Sequence, residues 1–393
     1  PDNRPEWGAT LTEEGNGTIA ITYIAEHLWF PSPTNAQRAS PGYRSLWQGG
    51  GWTAGTDQVG GVPSTGGGSD PNTVPQWGWY LKASPNWGVP GTAYLQTANN
   101  PVNHTINTSW RSLVLGYLAP DANGPPADCA GMVTAVSYCA DFAISRTTGA
   151  MYSFGDALDF SYTPGIVVRQ GGPNNWCLPT TGWNGAVPTA TVDSRPSHIS
   201  RWRSTASDAA GGIHLAYRSV DKGRVSYARS PSGAVTGFTT ADLALGAAGE
   251  FADPTLEYDP TSGLYVVSVQ AVSGGGSQLV YWRSTDGGVS FAPMAVAGAP
   301  MATEPTDLSV SARSIAGHSV IAIGYFSGGQ QWLRWSANNG GAWTDVALTP
   351  GPTDYSGEIL IDRDSPDFFC VFSRFDAGGR SNVMARHGTF GTP

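Results

Sequence analysis

The segment Leu279-Val-Tyr-Trp-Arg-Ser284-Thr-Asp286-Gly-Gly288-Val-Ser-Phe291 constrains the fold more than any other part of the sequence. An alternating strand runs into a short polar turn, and 52 residues later the same order returns as Trp332-Leu-Arg-Trp-Ser336-Ala-Asn338-Asn-Gly340-Gly-Ala-Trp343. Both fit Ser-x-(Asp/Asn)-x-Gly-x-x-(Phe/Trp). The physics is local: Ser and Asp side chains bond the turn amides, Gly supplies the positive φ, and the aromatic folds back on the hairpin. A chain that repeats one strand–turn–strand unit is assembled from copies of that unit.

Weaker copies extend the series toward the N-terminus at Ser84-Pro-Asn86-Trp-Gly88, at Ser145-Arg-Thr147-Thr-Gly149-Ala-Met-Tyr152, and at Ser230-Pro-Ser232-Gly233 ending near Phe238. Their serines are separated by 61, 85, 54 and 52 residues. A period near 50 is that of a four-stranded antiparallel blade, and predicts an all-β chain folded as a β-propeller of six blades, with five or seven as alternatives. Ahead of the turns, apolar strands follow starts near Ser197-His198, Asp253, Thr306-Asp307 and Tyr355-Ser356. These read as the first and second strands of successive blades, as does Trp7 to Tyr23. Asn382 to Thr389 reads as the strand that closes the ring. With 52 Gly, 29 Pro and 13% charged residues, turns dominate. Residues 1–393 are expected to form one propeller domain, with long loops near 31–75 and 165–195.

A formal charge of −9 and only two lysines, Lys82 and Lys222, exclude the clustered cations that a nucleic-acid partner requires. No run approaches the ~20 apolar residues of a membrane-spanning helix. No charged-then-apolar leader is present, so a soluble chain is expected, any export leader already removed. Cys129, Cys139, Cys177 and Cys370 lack metal-site spacing; one or two disulfides remain open, with Cys129 and Cys139 the favoured pair.

Loops entering the innermost strands of a propeller converge on its central channel, so residues there meet although they are distant in sequence. This picks out Glu6, Arg195, His198, Glu250, Asp253, Glu304, Asp307, Tyr355 and Glu358. Carboxylates with a tyrosine and a histidine suit general acid/base work on a glycosidic bond. The same carboxylates suit a structural calcium; no other cofactor or metal is expected. His198, Glu250, Asp253, Glu304 and Asp307 are also ordinary choices for strand and turn positions. Trp52, Trp79 and Trp176 stand in Gly- and Pro-rich loops, where an aromatic face either stacks on a sugar or braces the loop. Ser284, Asp286, Ser336 and Asn338 read as structural turn residues.

The two full turn motifs resemble the Asp-box, or BNR repeat, of the sialidase-like propellers. That family places a Tyr-Ser at the start of its final inner strand, where Asp354-Tyr355-Ser356 is similar. The resemblance implies Tyr355 as nucleophile and Asp253 or Glu250 as its activating base. It departs at the family's arginine triad: the Arg-Ile-Pro of the first strand is answered only by Asn3-Arg4-Pro5, so true sialidase activity is not expected. The expectation is an extracellular carbohydrate-active propeller, secreted or attached to a surface or particle, most simply a glycoside hydrolase acting on a polysaccharide. Two alternatives are a polysaccharide lyase, with His198 and Tyr355 as base and acid and Arg195 neutralising a uronate, and a non-catalytic glycan- or protein-binding propeller of a cell surface or virion assembly.

Overall fold

The structure, a computed structural model, describes residues 6–13, 19–25, 40–48, 50–53, 56–57, 76–85, 93–100, 111–118, 130–133, 140–148, 150–156, 165–171, 189–199, 203–245, 250–349, 354–363, 365–375 and 381–390. Among them there is no helix, and the strands fall into seven antiparallel sheets.

Sheet I holds β1 (Glu6–Glu13), β2 (Ile19–Ala25), β3 (Ser40–Leu46) and β4 (Thr56–Asp57). Sheet II holds β5 (Gln76–Pro85), β6 (Ala93–Asn100), β7 (Arg111–Leu118) and β8 (Ala130–Val133). Sheet III holds β9 (Ala140–Ile144), β10 (Met151–Asp156), β11 (Ile166–Gly171) and β12 (Thr189–Asp193). In sheet IV, β13 (Ser197–Ile199) and β14 (Thr205–Ser207) share one edge of β15 (Ile213–Ser219) as a broken first strand, followed by β16 (Arg224–Ser230) and β17 (Thr239–Leu245). Sheet V holds β18 (Phe251–Asp259), β19 (Gly263–Ala271), β20 (Ser277–Ser284) and β21 (Ala295–Val296). Sheet VI holds β22 (Thr306–Ile315), β23 (His318–Ser327), β24 (Gln330–Ser336) and β25 (Thr344–Ala347). Sheet VII holds β26 (Asp354–Ile361), β27 (Asp367–Phe375) and β28 (Ser381–Thr389).

First strands touch in sequence: β1 with β5, β5 with β9, β9 with β14, β14 with β18, β18 with β22, β22 with β26, and β26 with β1 again. The apolar clusters lie between sheets. Tyr152, Phe154 and Val168 of sheet III pack on Ile213, Leu215 and Tyr217 of sheet IV, and equivalent clusters join IV to V, V to VI, and VI to VII. Leu11, Ile19 and Ile21 of sheet I meet Phe369 and Val371 of sheet VII in the same way. Central strands are covered on both faces, which is why Val266 to Val269 is buried without alternation.

Seven sheets stand where six blades are expected: the five turn motifs fall one each in sheets II to VI, and sheets I and VII carry none of the five. Ser145 to Ala150 joins β9 to β10, and Ser84 stands at the end of β5 before β6, so both belong to first hairpins. The true copies lie between third and fourth strands. There Ser284 Oγ donates to Asp286 Oδ1 at 2.8 Å and accepts Gly288 N–H at 2.8 Å, while Asp286 Oδ1 takes the amides of Val289 and Ser290. Ser336 and Asn338 repeat the arrangement. The stretches expected as loops carry β3 and β4 within 31–75, and β11 and β12 within 165–195. Among the described residues the strand at 382–389 pairs only with β27, and it meets β1 of sheet I by packing, without a shared ladder. Cys129, Cys139 and Cys177 lie outside the described residues, whereas Cys370 is a buried free thiol.

Each turn aromatic packs on the preceding sheet. Phe238 meets Phe154 at 5.7 Å between ring centroids, Phe291 meets Tyr227 at 4.8 Å, and Trp343 meets Tyr281 at 5.7 Å. In sheet I, Ser45 to Trp52 keeps the Ser, Gly and aromatic of the motif with Trp47 at the acidic position. Trp52 lies 5.8 Å from Phe369 of sheet VII, so this turn serves sheet VII as the others serve their predecessors.

Candidate functional site

Register irregularities recur at the starts of five first strands. Register breaks between Trp7 and Ala9, Trp77 and Leu81, Ala252 and Thr255, Thr306 and Ser309, and Tyr355 and Gly357. Bulges re-aim side chains and gather beside functional sites. All five of these breaks hold or adjoin sequence-predicted residues: Glu6, Trp79, Asp253, Asp307 and Tyr355. Asp307 is half-buried with φ +51°, a left-handed conformation that costs an L-residue roughly 1–2 kcal/mol.

The other expected residues divide. Glu6 begins β1, opposite Ala25, and His198 lies half-buried on β13, opposite Arg218. Glu250 is exposed just ahead of β18 with Lys222 Nζ at 4.0 Å, and Glu304 is exposed ahead of β22. The side chains of Glu6, Trp79, Asp253 and Tyr355, and all of Trp176, lie outside the described residues.

Three residues are engaged elsewhere. Arg195 joins the outermost strands of sheets III and IV, bonding Asp193 at 2.8 Å and Asp242 at 3.0 Å. Burial works against both carboxylates, but the guanidinium bonds outweigh it and hold both below their usual range. Trp52 is the turn aromatic against Phe369. Glu358 fastens sheet VII to sheet I: its Oε2 accepts the Leu11 amide at 2.8 Å.

The sequence reading missed Arg203, which lies between β13 and β14. Its Nη1 donates to the Gly357 carbonyl at 2.7 Å and the Leu308 carbonyl at 3.4 Å, and its Nε lies 3.6 Å from Glu358 Oε1. The only sequence signal was an Arg-Trp-Arg run inside an otherwise strand-like segment.

Also missed was an ion network where the first strands finish. Arg313 bridges Glu257 at 2.8 Å and Glu13 at 3.5 Å, and Arg363 reaches Glu13 at 2.9 Å. Burial pushes the carboxyls of Glu13 and Glu257 up despite the nearby arginines. Burial likewise works against the Arg313 cation, but Glu257 and Glu13 more than offset it, and its pKa is raised. Arg146, lowered chiefly by burial, feels Glu257 from sheet III, and its amide donates to Ser207 Oγ of sheet IV at 3.1 Å. The network therefore ties sheets III to VII and sheet I together at the end opposite the bulges. Among the described residues, no three His, Cys, Asp or Glu gather as a metal site, and no helix is long and apolar enough to cross a membrane.

No protein-family model and no curated protein sequence matches the chain. Solved structures do. A polysaccharide lyase, an ulvan lyase bound to -[GlcA(1-4)Rha3S]-, superposes with a TM-score of 0.50 at 11% identity over 98% of this chain and 94% of its own. A Trypanosoma rangeli sialidase gives 0.48 at 10% identity over 97% of this chain, which spans 54% of the sialidase chain. A Dyadobacter fermentans protein of unknown function gives 0.48 at 13% identity, over 80% of this chain and 95% of that one. The all-β antiparallel architecture of this chain is shared with that lyase. At this identity the likeness extends to the fold alone.

Proposed function

We propose that the chain is a single seven-bladed propeller that takes a glycan at the end where its first strands begin and hydrolyses a glycosidic bond there. The observation that carries this reading is that β18, β22 and β26 of neighbouring sheets V, VI and VII each break register near their starts, at or beside Asp253, Asp307 and Tyr355. Tyr355 attacks the anomeric carbon, a carboxylate from Asp253 takes the phenolic proton, and a second acid protonates the leaving oxygen; water then releases the sugar. The ion network at the opposite end fits a site open on one side. An extracellular setting and membership of a larger surface assembly belong to the same reading.

The ulvan lyase likeness favours one second reading, β-elimination. His198 as base would remove the proton beside a uronate carboxylate, and Tyr355 as acid would protonate the 4-oxygen as it leaves, without addition of water.

The test is mass spectrometry of products after incubation with acidic and neutral polysaccharides, with Tyr355→Phe in parallel. Fragments that have gained water support hydrolysis, and unsaturated fragments support elimination. Either activity is expected to fall about 100-fold or more in Tyr355→Phe. Neither fragments nor retention on any glycan would overturn the reading.

A further inference from the structure

The three irregular strand starts share one support. The Arg203 carbonyl accepts the Leu256 amide at 2.7 Å and the Thr255 hydroxyl at 2.7 Å, directly after the break at Asp253. Ser204 Oγ adds a bond to the Pro254 carbonyl at 3.2 Å. The Arg203 guanidinium bonds the carbonyl after Asp307 and the carbonyl two residues beyond Tyr355. The dipeptide is itself anchored, because the Ser204 amide donates to buried Asp141 at 2.7 Å.

We propose that Arg203, with Ser204, is the positioning residue of the mouth: one guanidinium and one carbonyl hold the Asp253, Asp307 and Tyr355 segments in mutual register. Arginine suits the task because Nη1 carries two N–H donors, which reach two carbonyls on different strands, while Nε, fixed in the same rigid plane, stays beside Glu358; a lysine ammonium is a point donor on a flexible stem. Its Nη1 is committed to main-chain carbonyls, so through that nitrogen it acts on the site by way of the backbone. The break between β13 and β14 follows from the same role, since a first strand that continued its ladder through Arg203 would not release that side chain across the axis. This inference rests on reading the mouth as the glycan site.

The test compares wild type, Arg203→Lys and Arg203→Met by hydrogen-exchange mass spectrometry and by turnover or retention on whichever polysaccharide wild type recognises. Arg203→Met is expected to speed exchange about tenfold in segments 253–256, 307–309 and 355–358 together, with the Ser284 to Ser290 turn unchanged and glycan handling lost; Arg203→Lys falls between. Altered glycan handling with unchanged exchange would mean that Arg203 meets the ligand directly, and uniform acceleration would make it a general stabiliser; either result overturns the proposal, as does no change. The exchange arm needs no ligand. If wild type handles no glycan, the functional reading fails while the positioning claim is still decided.

Discussion

At the residue scale, the turn glycines do two jobs, only one of which is visible in sequence. Gly340 has φ +85°, which the motif predicts, and a Cβ there would also strike the Tyr281 hydroxyl of the preceding sheet. Gly288 stands in the same relation to Tyr227, and the Tyr152 hydroxyl donates to the Gly233 carbonyl at 2.5 Å. Gly340→Ala is therefore expected to cost about 3 kcal/mol, the sum of left-handed strain and overpacking. In a Tyr281→Phe background the same change should cost only ~1 kcal/mol, the backbone part. Urea unfolding of the four proteins in the cycle checks this; equal costs in both backgrounds would remove the hydroxyl from the account.

At the element scale, the Trp47–Trp52 turn fastens the first sheet to the last. Trp47 lies 5.3 Å from Phe369 and 4.8 Å from His387, and Trp52 stands edge-on to both Trp47 and Phe369. Trp52→Ala should lose roughly 2–4 kcal/mol, while Trp52→Phe keeps most of the packing. Neither should alter retention on a glycan by a folded sample. Calorimetry beside a retention assay separates the roles, since a sugar-stacking tryptophan would lose retention at unchanged Tm. The long Gly-rich flank of this turn disguised it as a binding loop; with Trp47 at the acidic position, the motif was not recognised.

At the scale of the whole molecule, the ion network across sheets III to VII and I makes stability depend on pH. The Glu13 and Glu257 carboxyls have native pKa values raised above the unfolded ones, so each stabilises most at low pH and loses its contribution as pH rises through the native value. Arg313 opposes that rise. Arg313→Met leaves buried Glu13 and half-buried Glu257 without it and should destabilise by about 3 kcal/mol at pH 7. The penalty should shrink toward ~pH 4, where both carboxyls take up protons. Unfolding midpoints across that range provide the check, and a penalty independent of pH would mean that Arg313 acts by packing alone.

The sequence determined the all-β class, the blade-sized period in the second half, and the starts of four first strands, because turn chemistry and apolar runs act between residues close in the chain. Only the tertiary structure decided that there are seven sheets, that Ser84 and Ser145 belong to first hairpins, and that Arg195 and Trp52 serve the fold. It alone brought Arg203, Glu358, Leu11 and Gly357 together. The first strands are neighbours in space but lie about 50 residues or more apart in the chain, so the contacts of Arg203 among them are set by how the sheets pack and not by local sequence.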